Sequence, residues 1–175
     1  MKKTVLIFGL TSGIIVSVWL SVSMFIFSGD HENMELNMAI GFLGMLIAFA
    51  FIFVGIKNYR DKMNNGAVSF GKAFAIGFFI ALIASLFYVA TWAVVYNNFM
   101  PDFMEKYSAQ MIEQYQSQNL PAAELQAKVD EIKAAAEDYK NPVYFTMWTL
   151  MEILPFGIIV SLIAALVLKR KPKIA

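Results

Sequence analysis

The sequence predicts an all-α integral membrane protein. The expected form is a four-helix antiparallel bundle with an extracytoplasmic helical hairpin between the third and fourth membrane helices. Three observations carry that reading. The 175 residues are 59% hydrophobic and only 15% charged, against about 25% charged in an ordinary soluble domain. The charges leave four long gaps. The basic residues gather on alternate connections. Disorder is excluded by the apolar content, and a disulfide scaffold by the lack of cysteine. A net charge of +1 gives no bulk attraction to nucleic acid, and no such partner is expected.

Between Lys3 and Asp30 lie 26 uncharged residues, between Glu35 and Lys57 lie 21, and between Lys72 and Asp102 lie 29. Lys140 to Lys169 encloses 28, interrupted only by Glu152. A helix needs about 20 mostly apolar residues to cross the hydrocarbon. Each gap reaches that length, which predicts spans over 4–28, 35–57, 71–98 and 142–168. A barrel would instead show alternating segments of about ten residues. Met1-Lys2-Lys3 before apolar sequence also fits the start of a secretion signal. The apolar stretch is too long for one, however, and Ser21-Val22-Ser23 leads into more apolar sequence. We expect residues 1–3 to be retained as the inner flank of the first helix.

Lys and Arg concentrate on the cytoplasmic side of membrane proteins. Lys2, Lys3, Lys57, Arg60, Lys62, Lys72, Lys169, Arg170, Lys171 and Lys173 fall on one side, ten in all. The other side has four, Lys106, Lys128, Lys133 and Lys140. Both termini are therefore expected in the cytoplasm.

Lys57–Gly66 is expected to extend the second helix by a turn before Asn64-Asn65-Gly66 breaks it. Gly66 suits a left-handed position after a helix, and Ser69 suits the N-cap of the next. In the outer segment 102–140, Phe103, Tyr107, Met111 and Tyr115 recur every four residues. Leu125, Val129, Ile132, Ala136 and Tyr139 recur at spacings of four and three. These periods predict two amphipathic helices separated at Asn119-Leu120-Pro121. Eight acids against four lysines give the segment a net charge of −4. Its acid pairs Asp130-Glu131 and Glu137-Asp138 read as solvated faces. Asn141-Pro142 supplies a cap and a first-turn proline for the last helix.

Small residues recur four apart within the spans: Gly9, Gly13, Ser17 and Ser21; Ala73, Gly77, Ala81 and Ser85; Gly157, Ser161 and Ala165. Gly44 and Ala48 do the same in the second span. Such stripes allow close helix approach in lipid. They serve either packing within one chain or, for one stripe, contact with a second copy.

Glu152 is the one acid inside a span. It lies roughly 14 Å below the outer end of its helix by helical rise, where an ionised carboxylate is costly. Pro155 follows and removes the backbone donor that would reach Met151. Glu152 either binds a proton or a cationic ligand, or is a neutral acid hydrogen-bonded to the third helix. Tyr88, Thr91, Tyr96 and Asn97 are the candidate partners there, with Asn98 beside them. His31 is the only histidine and reads as a solvated loop residue between Asp30 and Glu32. No metal site, cofactor site, phosphate-binding glycine loop or nucleophile–base pair is visible. The basic run Lys169-Arg170-Lys171-Pro172-Lys173 reads as a topology determinant with attraction to anionic head groups.

Gly55-Ile56-Lys57-Asn58-Tyr59-Arg60-Asp61-Lys62, followed by Gly66 and Ser69-Phe70-Gly71-Lys72-Ala73-Phe74, carries a family likeness. So does Glu152 with Pro155-Phe156-Gly157 before a basic tail. On these motifs the chain resembles the bacterial domain-of-unknown-function family 4199, four-helix inner-membrane proteins found mainly in Bacteroidota. The resemblance covers nearly the whole chain. It implies the inner-membrane location and the four spans, and it brings no assigned activity and no catalytic residue. It draws attention to Lys57, Arg60, Asp61 and Lys72 as a charged cluster at the cytoplasmic face. Plain topological anchoring, with Arg60 or Lys57 near Asp61, is the alternative reading of those four.

The function expected from the sequence is that of a non-enzymatic structural or interaction protein in the lipid bilayer. A second copy or another membrane protein would be its partner. The alternative is a small proton-linked transporter or ligand-binding module that uses Glu152.

Overall fold

A computed structural model describes residues 1–27, 34–118 and 120–172. Six α-helices account for most of them: α1 Lys2–Phe27, α2 Met34–Asn58, α3 Phe70–Phe99, α4 Phe103–Gln116, α5 Ala122–Asp138 and α6 Pro142–Leu168. No strand occurs among the described residues; an isolated antiparallel bridge joins Val68 to Arg170. His31, its neighbours Asp30 and Glu32, and also Asn119 and Lys173, lie outside the described residues.

Four helical stretches are long and apolar enough to cross a bilayer: Lys2–Met24, Ala39–Met63, Phe70–Phe99 and Pro142–Leu168. The local signals at their ends operate as the residue types require. The extra turn after α2 forms over Tyr59–Met63 and is π-helical. Asn65 and Gly66 then take positive φ, 50° and 76°, a conformation open to glycine and tolerated by asparagine. Ser69 Oγ accepts from the Lys72 N–H at 3.4 Å as α3 begins. Asn141 Oδ1 accepts from the Val143 N–H at 2.9 Å, which caps α6.

The chain divides into two compact units, Met1–Trp92 with Leu150–Ala175, and Ala93–Thr149. In the first, small residues set how closely the helices approach. A Cβ built on Gly9 would lie 2.8 Å from Ile83, and one on Gly13 would lie 2.7 Å from the Phe87 ring. One step further along, Thr91 Oγ1 donates to Ser17 Oγ at 2.7 Å. The partners climb together, so the small stripe of α1 lies against α3 with the two helices pointing the same way. The stripe is thus occupied within the chain. Ser12 Oγ donates to the Ala48 carbonyl at 2.7 Å, and Trp19 Nε1 to the Ile40 carbonyl at 3.0 Å. These contacts run in the opposite sense and join α1 to α2. Gly77 faces Ser161, and Gly157 faces Ala81 and Phe49, which knits α6 to α3 and α2.

The surface of this unit is inverted relative to a soluble fold. Leu6, Leu10, Ile14 and Val18 of α1 are exposed, as are Leu43, Leu46 and Val54 of α2, Phe79 and Leu86 of α3, and Ile159, Leu162 and Leu166 of α6. Thr4, Ser12, Ser85 and Ser161 are buried. A soluble monomer keeps contiguous apolar patches to a few hundred Å². Apolar stripes on every helix with hydroxyls inside are consistent with a multi-pass membrane protein.

In the second unit α4 and α5 pack as a hairpin, and neither helix buries a single residue. Tyr96, Tyr139 and Phe145 form an aromatic cluster with centroids 5.0–5.5 Å apart, and Phe103 joins it 6.4 Å from Tyr96. Exposed local ion pairs, Lys128 with Glu131 and Lys140 with Glu137, hold two of the acids of the hairpin. The side-chain hydrogen bonds of those pairs raise both lysines above their ordinary value. Both lysines therefore keep their charge through neutral pH and lose it only above the ordinary lysine range.

A bulky side chain at Gly157 has no room, because even a Cβ there would sit 2.7 Å from Ala81 and 3.0 Å from Phe49. Gly157→Leu should destabilise the chain by about 1–3 kcal/mol, read as a lower thermal midpoint in detergent. Gly41→Ala, where a Cβ meets nothing within 4 Å, should leave the midpoint unchanged or slightly raised.

Candidate functional site

Of the polar residues that the sequence singles out around Glu152, the structure places one against it. Tyr88, 9% exposed on α3, donates its hydroxyl to Glu152 Oε1 at 3.2 Å. Thr91 comes three residues later on the same helix and faces α1, where it bonds Ser17 Oγ and its own Phe87 carbonyl. Successive residues of a helix turn by about 100°, so positions at similar depth need not share a face. Tyr96 and Asn97 belong to the second unit. Tyr96 joins its aromatic cluster, and Asn97 Nδ2 donates to the Ala93 carbonyl of its own helix at 2.7 Å.

Glu152 itself is exposed on α6. Its Oε1 reaches back to Tyr88, while the residue looks outward among Met151, Pro155 and Ile159. A neutral carboxyl has one donor and several acceptor sites. The Tyr88 hydroxyl serves one acceptor, and the acid's own donor meets no further partner among the described residues. Chemically this is a carboxyl half satisfied, set in an apolar face. Ser85 Oγ, fully buried one turn from Tyr88 on α3, also lacks a hydrogen-bond partner.

The charged cluster at the other end of the unit is a structural knot. Arg60 grips Asp61 with two nitrogens, Nε to Oδ1 at 2.6 Å and Nη2 to Oδ2 at 3.0 Å. Its Nη1 donates to the Leu168 carbonyl at 3.3 Å, which supplies a cation to the carbonyl end of α6. Next to it Val68 and Arg170 exchange two backbone hydrogen bonds, each 2.9 Å. Lys72 Nζ sits 5.5 Å over the ring of Tyr59, which is buried. Asn64 Nδ2 closes the turn on the Ala67 carbonyl at 2.6 Å, and Thr4 Oγ1 reaches Met63 Sδ at 3.2 Å. Lys57 is exposed and joins no ion pair or hydrogen bond among the described residues. The start of α1, the α2–α3 turn and the end of α6 are therefore tied together.

Residues 7–170 match the model of a family described as "Protein of unknown function (DUF4199)". The chain belongs to this family. No curated protein and no solved structure matches it. The DUF4199 match includes Tyr88 and Glu152, all of Arg60, Asp61 and Leu168, and the Val68–Arg170 bridge. Sequence reasoning pointed to Arg60 and Asp61 but missed the cap on Leu168 and the bridge. The only available signal was a basic residue in the turn and a helix ending shortly before the basic tail.

Arg60→Ala should cost about 1–2 kcal/mol, because it removes a charge-assisted grip and leaves the Leu168 carbonyl without its cation. Limited proteolysis should then cut the tail after Leu168 faster. Arg60→Lys should restore only part of the protection, since an ammonium lacks the two-pronged geometry.

Proposed function

We propose that this protein resides in the bacterial inner membrane as an antiparallel four-helix bundle, with both termini cytoplasmic and the α4–α5 hairpin outside. It acts there by binding other proteins rather than by catalysis. Ten Lys and Arg residues on one set of connections against four on the other support the orientation. The apolar faces of the four long helices support the embedding.

The observation that carries the interaction reading is the hairpin. Two amphipathic helices that bury none of their residues make a poor core of their own. They keep Phe103, Tyr107, Met111 and Tyr115 along one helix and Leu125, Val129 and Ile132 along the other at least partly open. Such faces suit a membrane-protein partner that covers them. The net charge of −4 over 102–140 would keep the segment soluble and favour a partner with a basic surface.

A second reading is favoured by the exposed carboxyl of Glu152 with its tyrosine donor. In it, the protein is a small proton-linked transporter or ligand-binding module. Proteoliposomes should then show a pH-dependent flux that disappears in Glu152→Gln; an unchanged flux removes this reading.

Both halves of the main proposal are testable in cells. A reporter fused after residue 175 should be active in its cytoplasmic form, and a periplasmic signal would overturn the orientation. A photo-crosslinker at Tyr107 or Tyr115 should capture a discrete protein partner. No adduct from either position would remove the hairpin as the binding surface.

A further inference from the structure

The exposed face of α6 holds the most unusual residue in the chain. Glu152, Pro155, Ile159, Leu162 and Leu166 are all exposed, and they follow one another at spacings of three, four, three and four. That spacing draws one straight stripe along a helix and is the seam geometry of two helices packed side by side. Of the four apolar helices, α6 is also the least covered by the rest of the chain.

An acid on such a stripe is costly if lipid covers it. A polar side chain inside a membrane is almost always turned toward a partner. The Tyr88 hydroxyl satisfies one oxygen of Glu152, but the remaining donor and acceptor meet no group among the described residues. No Lys or Arg lies within the four uncharged stretches that could serve as a counter-ion.

A neutral carboxyl is self-complementary, because it donates and accepts at once. With the single orientation proposed above, every copy of this protein lies the same way round in the membrane. A two-fold axis between copies must then run along the membrane normal, and it brings each residue opposite its own counterpart at the same depth. Parallel α6 helices meeting along this stripe would set Glu152 against Glu152, and Ile159, one heptad on, against Ile159.

We infer that α6 is the self-association surface of this protein. Two copies pack α6 on α6, and the carboxyl of each Glu152 completes the hydrogen bonding of the other. The inference rests on the membrane topology proposed above. The partner copy contributes a group that the site lacks without it.

The absence of cysteine makes the test direct. Ile159→Cys, alone in the chain and oxidised in native membranes, should yield a disulfide-linked dimer of this protein. Val18→Cys and Leu86→Cys, exposed at 57% and 53% on α1 and α3, should not. Adding Glu152→Leu to Ile159→Cys should lower the dimer yield roughly 3- to 30-fold, the range of a hydrogen bond between membrane helices. Adding Glu152→Gln should largely preserve it, because an amide also donates and accepts.

Equal crosslinking at all three positions, a monomer at Ile159→Cys, or capture of a different polypeptide would overturn the inference. A dimer insensitive to Glu152→Leu would remove the role of the carboxyl pair. Failure of the topology reads out separately: a residue-175 reporter in the periplasm condemns the orientation, while a cytoplasmic reporter with no Ile159→Cys dimer condemns the pairing alone.

Discussion

Hydrocarbon offers a polar group nothing to bond with, and the four apolar helices of this protein are arranged around that constraint. The buried hydroxyls of Ser12 and Ser161 each find a backbone carbonyl, one on a neighbouring helix and one on its own. Thr91 serves Ser17 and its own helix together. Because lipid supplies no hydrophobic drive between helices, close approach through small residues has to hold them together. Gly9, Gly13, Gly77 and Gly157 each leave space that a neighbouring side chain fills. Apolar bulk is displaced to the outside, where Leu, Ile or Val stand exposed on each of the four long helices.

The polar segments of the two units are handled differently. At the end carrying the N-terminus, short-range chemistry ties three segments into one knot. Arg60 links the α2–α3 turn to the last carbonyl of α6, and the Val68–Arg170 bridge repeats that link through the backbone. In the second unit the residues of 102–140 form a hairpin of charged amphipathic helices instead.

Much of this was readable in the residues. Charge gaps marked the four long apolar helices to within a few positions, since a long uncharged apolar run has no local signal to stop a helix. The helix ends were equally legible, because Gly66, Ser69 and Asn141 each have one local job. The interior was less so. A helix of uniformly greasy composition looks alike all round, so no pattern in the residues says which neighbour the face carrying Glu152 meets. Tyr88 bonds it and Thr91 does not, a distinction of helical rotation that depth alone misses. The Arg60–Leu168 contact joins residues 108 positions apart, and no local pattern encodes it.

The arrangement of these helices requires lipid over their exposed apolar faces. The direct measurement places a spin label on single cysteines at Val18, Leu46, Leu86 and Ile163, all exposed and one on each long helix, in reconstituted membranes. Relaxation by oxygen dissolved in the bilayer should dominate at all four, with little effect from a water-soluble nickel complex. Strong relaxation by the nickel complex at these positions would contradict the account.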